Sequence, residues 1–416
     1  MKSLDKKHIM LLITCFMMMM IIFGSVNLGG LFIVPITEEL GFSRAAYSLN
    51  MTFSTAASII LNLALAKILA KTRRRPLFLV TAIACSVLYA CYGLATQLWH
   101  FYAIAFVIGF ATPFMLSTGT SVLINENFPA RIRGRVMGLV MAGSGAGTMI
   151  LSPILTQVIE RVGWRQAYFL CGIMFMVLVV PLIALFVHEP EGFEEEQGDL
   201  TPVEALEHIK YPEPTGIGFF VVVTLALLSL DSGVLHGQMM PYSIELGIPE
   251  TIGSFMISLY AGFLLIGKIG LGAFCDKVGT RAGFNIILLI LLISQVAAVF
   301  SKAMSWMFIP SVVLYGIGNT SSTVGMVLFI TAIYGQENYN KVIGKYMVAM
   351  SIGGLPGGIM ASFFYDVTGS YMPAFVITSV AAVIILFCSI MTFHRVRLQR
   401  SRYLTEHPEL MRRAQN

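Results

Sequence analysis

Long apolar runs alternate with short polar stretches along the whole chain. The runs are Ile9–Ile36, Ala45–Ala70, Leu77–Leu94, Phe101–Ile124, Val136–Ile159, Ala167–Val187, Ile217–Tyr242, Ser254–Cys275, Phe284–Phe300, Met307–Tyr334, Val342–Phe364 and Ala374–Phe393. A bilayer core of about 30 Å takes about 20 apolar residues in a helix. The pattern therefore predicts an all-α membrane protein with twelve transmembrane helices. The first run is too long for a signal-peptide core and no small-residue cleavage site follows it, so it is read as a retained helix.

Charge adds an orientation. Only 12% of the 416 residues are charged, where a soluble domain has about 25%. With the N-terminus placed in the cytoplasm, 21 of the 27 Lys and Arg fall on the cytoplasmic side: near the N-terminus, at 71–75, 131–135, 210, 277–281 and 341–345, and after Phe393. Only Arg44, Arg161, Arg165 and Lys302 fall outside. That bias predicts both termini in the cytoplasm of a cell-membrane protein. It also accounts for the net charge of +5 without a nucleic-acid partner. The six cysteines are scattered along the runs with no metal-ligand spacing, as expected of buried thiols.

The second half repeats the first at an offset of 206 residues. Glu39-Leu40-Gly41 falls on Glu245-Leu246-Gly247, Lys71 on Lys277, Arg75 on Arg281, Gly147 on Gly353, Glu160 on Asp366 and Gly163 on Gly369. A duplicated six-helix unit of this kind is a transporter signature. It divides the chain into a bundle at 1–187, an acidic linker at 188–215, a second bundle at 216–394 and a basic tail at 395–416. Pro202 to Ile209 in the linker reads as a short surface helix, and the tail reads as a membrane-surface segment. Between the eighth and ninth runs stands GAFCDKVGTR, holding Gly272, Asp276, Lys277, Gly279 and Arg281. Gly279 permits a tight turn there, and the bases hold the loop at the anionic leaflet. The first copy keeps the bases but has Ala70 where the second has Asp276.

This loop, with the twelve runs and the duplication, resembles the signature of the major facilitator superfamily. The stretch NENFPARIRGRVMGLVMAGSGAGTMILSPI, then GWRQAYF, HGQMMPYSIELGI and FFYDVTGSYMPAF, resembles the bacterial monocarboxylate and oxalate–formate branch. The resemblance implies two bundles that rock about a central site. It implies a cytoplasmic gate in which Asp276 meets Arg133 or Arg135, and it puts an equivalent latch in the first half in doubt. It also places a basic residue of the eighth helix against a substrate carboxylate. Here that residue is Lys268, where relatives usually have Arg.

The residues give the same candidate independently. Lys268 lies eight residues before Asp276, about 12 Å along a helix, near the middle of the bilayer. An ionisable group at that depth is costly and points to function, although a lysine bonded to backbone carbonyls or an acidic neighbour satisfies the same position. Tyr242, Tyr260 and Tyr315 supply hydroxyls, and Asn27, Asn50, Asn62 and Asn319 supply amides that join helices or meet substrate. Substrate contacts are assigned to Lys268, Asn27, Tyr260, Tyr242 and Asn319. Asp231 or His236 is the expected proton carrier, with a packing histidine the other reading of His236; five residues apart, they do not share a helix face. Asp231 is also a candidate partner for Lys268. No second base follows Lys345 in the eleventh run, which suits one carboxylate better than two.

The expectation is a secondary transporter of a small organic anion, a monocarboxylate, driven by proton symport or anion exchange. The alternative is an exporter of apolar or amphipathic compounds, lined by some of the 25 Met and 29 Phe. A sensor that kept the fold and lost transport is a third reading. No nucleotide loop, metal set or nucleophile–base pair argues for an enzyme, and no cofactor is expected. The expected partners are the anion, a proton or counter-anion, and membrane lipid, with the chain acting as a monomer.

Overall fold

The computed structural model describes residues 6–128, 130–189 and 214–406. Along them the chain is helical: α1 (Lys6–Leu40), α2 (Arg44–Lys71), α3 (Arg74–Tyr92), α4 (Leu98–Asn127), α5 (Ala130–Val162), α6 (Trp164–Phe186), α7 (Gly218–Glu245), α8 (Glu250–Val278), α9 (Thr280–Phe300), α10 (Ser305–Tyr334), α11 (336–368) and α12 (Met372–Glu406). Eleven stretches among the described residues are long and apolar enough to cross a membrane. The 28-residue α2 is not one of the eleven, and several side chains near its end lie outside the described residues. The outward surface is apolar on helix after helix, with Val80, Ile173, Leu185, Phe219, Ile269 and Phe387 all exposed. Such a surface is suited to lipid, and helices are the element that satisfies its own backbone there.

Successive helices reverse direction. One side of the molecule carries the α2–α3, α4–α5, α8–α9 and α10–α11 turns, with the start of α1, the end of α6, the start of α7 and the end of α12; we call it the linker side and its opposite the far side. The 206-residue repeat reappears in contacts. On the far side Glu39 accepts from Trp164 Nε1 at 2.6 Å and pairs with Arg165, while Glu245 accepts from Ser370 Oγ at 2.6 Å and from the Tyr371 N–H at 2.8 Å. These are the same three positions in each half. Deeper in, Gly147 lies against the Met20 carbonyl and Gly353 against the Ala226 carbonyl. The helix backbones touch there, and small residues permit it.

One element differs from expectation and one lies beyond what the structure describes. The basic tail is no separate surface segment, because α12 continues unbroken to Glu406. Its extension is tied down by polar contacts: Gln399 exchanges hydrogen bonds with the Thr215 backbone, Arg395 donates to the Gly216 carbonyl, and Arg400 donates to the carbonyls of Ala332 and Ile333. The helix expected at Pro202–Ile209 lies outside the described residues.

Candidate functional site

His236 of α7, Tyr260 and Lys268 of α8, and Tyr315 and Asn319 of α10 come together in the second half. The His236 ring lies 5.1 Å from the Tyr260 ring, which stacks on Tyr315 at 5.4 Å. Asn319 Nδ2 donates to the Tyr260 hydroxyl at 2.8 Å, and Asn319 Oδ1 accepts from Ser322 at 2.8 Å. Lys268 stands two turns along α8 from Tyr260, about 12 Å. Helical side chains lean toward their helix N-terminus, so its ammonium reaches back toward this cluster and lies within electrostatic range of His236. Beside His236, Gly237 packs against Gly30 of α1. The cluster therefore sits at the seam between the first six helices and the last six.

Lys268 is half-buried and forms no ion pair or hydrogen bond among the described residues. The titratable group within electrostatic range of it, His236, has no negative charge to give. A desolvated cation without a counter-ion is expensive, so this position is suited to an anion that comes and goes.

The other candidates divide. Asn27 stands across the seam on α1 and donates to Thr148 at 3.3 Å. Asp231 is not brought to Lys268. Its Oδ1 accepts from Gln295 Nε2 of α9 at 2.5 Å, and Gln295 accepts in turn from Thr378 of α12 at 3.0 Å. Asp231 Oδ2 is buried without a partner. This hydrogen-bond chain links α7, α9 and α12, while the Asp231 carbonyl accepts from the Tyr315 hydroxyl at 3.4 Å. Tyr242 is not at the site either: its hydroxyl donates to the Ala298 carbonyl at 2.8 Å and meets Ser301 at 2.9 Å near the far end of α7. Of the loop residues, Gly279 has φ +85° and makes the α8–α9 turn, while Lys277 and Arg281 are exposed near it and Gly272 is half-buried. The side chains of Asp276, Arg133 and Arg135 lie outside the described residues. Among the described residues no group of His, Cys, Asp or Glu is arranged to hold a metal.

Sequence reasoning missed Gln295, although a glutamine inside an apolar run is a signal. It also missed the Arg74 clasp, in which the guanidinium takes Glu126 through two bonds at 2.6 and 2.8 Å and the backbone N–H meets Glu189 at 3.1 Å. That clasp ties the first copy of the loop to α4 without the missing aspartate.

The sequence profile of the Major Facilitator Superfamily matches residues 14–236 and again 221–409. The chain belongs to this superfamily. It is a multi-pass membrane transporter, not an enzyme. Similar proteins include monocarboxylate transporter 13 of Rattus norvegicus, 22% identical over 88% of this chain and 85% of the relative. Monocarboxylate transporter 12-B of Danio rerio is 22% identical over 79% of this chain and 73% of its own. The sialic acid transporter NanX of Escherichia coli (strain K12) is 22% identical over 51% and 52%. In fold the chain is similar to a bacterial homologue of the human lysosomal transporter Spinster, with TM-score 0.74 at 14% identity over 95% of this chain and 98% of that one. It is also similar to the nucleoside transporter NupG, with TM-score 0.72 at 12% identity over 92% and 99%.

Proposed function

We propose that this member of the superfamily is a secondary active transporter of a small organic anion, a monocarboxylate, with Lys268 as the anchor for its carboxylate. The observation that carries the proposal is Lys268, half-buried on α8, within electrostatic range of His236 at the seam and with no counter-ion among the described residues. The carboxylate supplies the missing charge. Lysine is a point donor and does not impose the bidentate geometry of arginine, which suits a small anion held by few contacts. Asn319 and Tyr260 present amide and hydroxyl groups on one side and Asn27 an amide on the other.

The bundles at 1–187 and 216–394 rock about this site, with the linker at 188–215 and both termini in the cytoplasm, so the linker side is the cytoplasmic side. His236 lies within electrostatic range of Lys268. It is our first candidate to carry a coupled proton, by symport. With no proton carried, the same site performs anion exchange. Asp231 is a second candidate, and its backbone carbonyl accepts from the Tyr315 hydroxyl at 3.4 Å. Asp276 with Arg133 or Arg135 is the proposed cytoplasmic gate. The names of the monocarboxylate-transporting relatives support the substrate class.

The test is uptake of labelled monocarboxylates into proteoliposomes, with and without an inward proton gradient. The expected result is saturable uptake in wild type, increased by the gradient and lost in Lys268→Ala. Equal uptake by the variant makes Lys268 structural. No uptake of any carboxylate by wild type overturns the substrate class.

A further inference from the structure

The far side is closed by two seams, α2 against α11 and α5 against α8. They are counterparts at the 206-residue offset, so each rung of one has a matching rung in the other. The innermost rung is the same in both: Thr52 Oγ1 donates to the Leu355 carbonyl at 3.4 Å, and Ser258 Oγ donates to the Met149 carbonyl at 2.8 Å. The next rung differs. Ser48 and Ser362 share a hydrogen bond at 2.7 Å, but the matching Thr156 hydroxyl is buried with no partner, and Ser254 contributes only its carbonyl, to Ser152 at 3.0 Å.

The outermost rung is opposite in sign. On the first seam both Asp366 oxygens accept backbone N–H bonds at the start of α2, from Arg44 at 3.1 Å and Ala45 at 2.8 Å. Ser43 takes the next N–H, from Ala46, at 3.1 Å. Three of the donors that a helix start leaves unsatisfied are thus covered, two of them from across the seam. The Arg44 guanidinium lies 3.8 Å over the Tyr365 ring and donates to the Tyr371 hydroxyl at 3.0 Å. On the second seam, Glu250 replaces Arg44 and Glu160 replaces Asp366. The start of α8 has no side-chain cap, and Glu250 lies within electrostatic range of Glu160 and of Glu38 at the end of α1. The neighbouring charges are committed elsewhere or face outward: Arg165 pairs with Glu39, Lys302 pairs with Glu245, and Arg161 is exposed. Like charges brought together oppose closure.

We propose that the far gate is asymmetric: the α2–α11 seam, through Asp366 and Arg44, is its latch, and the α5–α8 seam, strained by Glu160, Glu250 and Glu38, is where it opens first. The inference needs only the alternating motion of a transporter and not the identity of the substrate.

Spin labels carried on non-natural residues leave the native cysteines in place and report each seam separately in lipid nanodiscs. One pair replaces Phe53 and Phe363, across α2–α11; the other replaces Gln157 and Phe255, across α5–α8. All four positions are exposed. In wild type the second pair is expected to give the broader distance distribution. Glu250→Arg places a base opposite Glu160 and is expected to remove the long-distance component of the second pair. Glu250→Gln is expected to reduce that component without removing it. Asp366→Ala is expected to lengthen the first pair, and the double variant Asp366→Ala/Glu250→Arg to close the second while the first stays open. Unchanged distances at the first pair in Asp366→Ala overturn the latch. No narrowing at the second pair in either Glu250 variant overturns the opposed seam.

Discussion

The two halves of the chain share a framework and divide the chemistry. Helix contacts recur at the same offset in both: the carboxylate at 39 or 245 ties down the start of the sixth helix of its half, and the glycine at 147 or 353 lets two helices touch. The polar groups around the candidate site do not recur. Where the second half has Asp231, His236, Tyr260, Lys268, Gln295 and Asn319, the first has Ser25, Gly30, Ser54, Asn62, Tyr89 and Pro113. Tyr89 packs with Tyr92, Tyr168 and Phe175 in an aromatic core, where Gln295 joins a hydrogen-bond chain. Duplication has preserved what packs helices, while in the proposed site the charge for an anion comes from one side of the seam. The other half contributes a wall and an amide.

The largest effect should come from the shared framework. A Cβ at Gly147 would stand 1.7 Å from the Met20 carbonyl oxygen, and one at Gly353 would stand 2.2 Å from that of Ala226. Gly147→Ala and Gly353→Ala are each expected to cost at least about 1–3 kcal/mol, read as a lower thermal midpoint. Gly138→Ala and Gly344→Ala, another matching pair with open space around both, should leave the midpoint unchanged. Equal behaviour of all four would break the claim that the repeat is a packing repeat.

The next effect sharpens the one-sidedness of the chemistry. Exchanging the matched residues, Lys268→Asn with Asn62→Lys, should not restore uptake. The loss should be roughly 100-fold, about 3 kcal/mol, the scale of an unpaired buried charge. Restored uptake would make the halves interchangeable. His236→Gln should keep exchange of labelled for unlabelled anion within a few-fold and abolish the increase with a proton gradient.

A smaller contrast lies in the repeated carboxylates. Glu245 is 5% exposed and Glu39 is 48% exposed. Glu245→Gln should lower stability by about 1.5–3 kcal/mol, as for hydrogen bonds to a buried charge. Glu39→Gln should lower it by less than about 1 kcal/mol, because solvent screens an exposed pair. Denaturation of the two variants side by side measures the difference.

Much of the fold was legible because lipid imposes one rule on every span. Apolar length gave the helices, and Gly, Pro and charge at loop positions gave the repeat. Lys268 and His236 could be picked out as candidates because an ionisable group within an apolar run is costly to bury and stands out against its neighbours. The partner of Asp231 was not, since Gln295 is 64 residues away and the pairing depends on how α7 and α9 are rotated against each other. Tyr242 misled for the same reason: composition shows a hydroxyl in a span but not the direction in which it points. The latch had half a signal, the match of Glu160 to Asp366. Its meaning needed the match of Arg44 to Glu250, and neither carries weight until the two seams are seen to be counterparts. The continuation of α12 past Phe393 was hidden because a helix that leaves the membrane loses its apolar pattern without losing its hydrogen bonds.

The central claim is that Lys268 holds the anion. The most direct measurement is the thermal midpoint of purified wild type and Lys268→Met against a panel of monocarboxylates. Methionine keeps the apolar stem and removes the charge. At 100 times its Kd a ligand adds about 2.7 kcal/mol of stability, so wild type should shift upward with its substrate while Lys268→Met, at least as stable alone because the uncompensated charge is gone, should not shift. A midpoint that rises equally in both proteins would contradict the account.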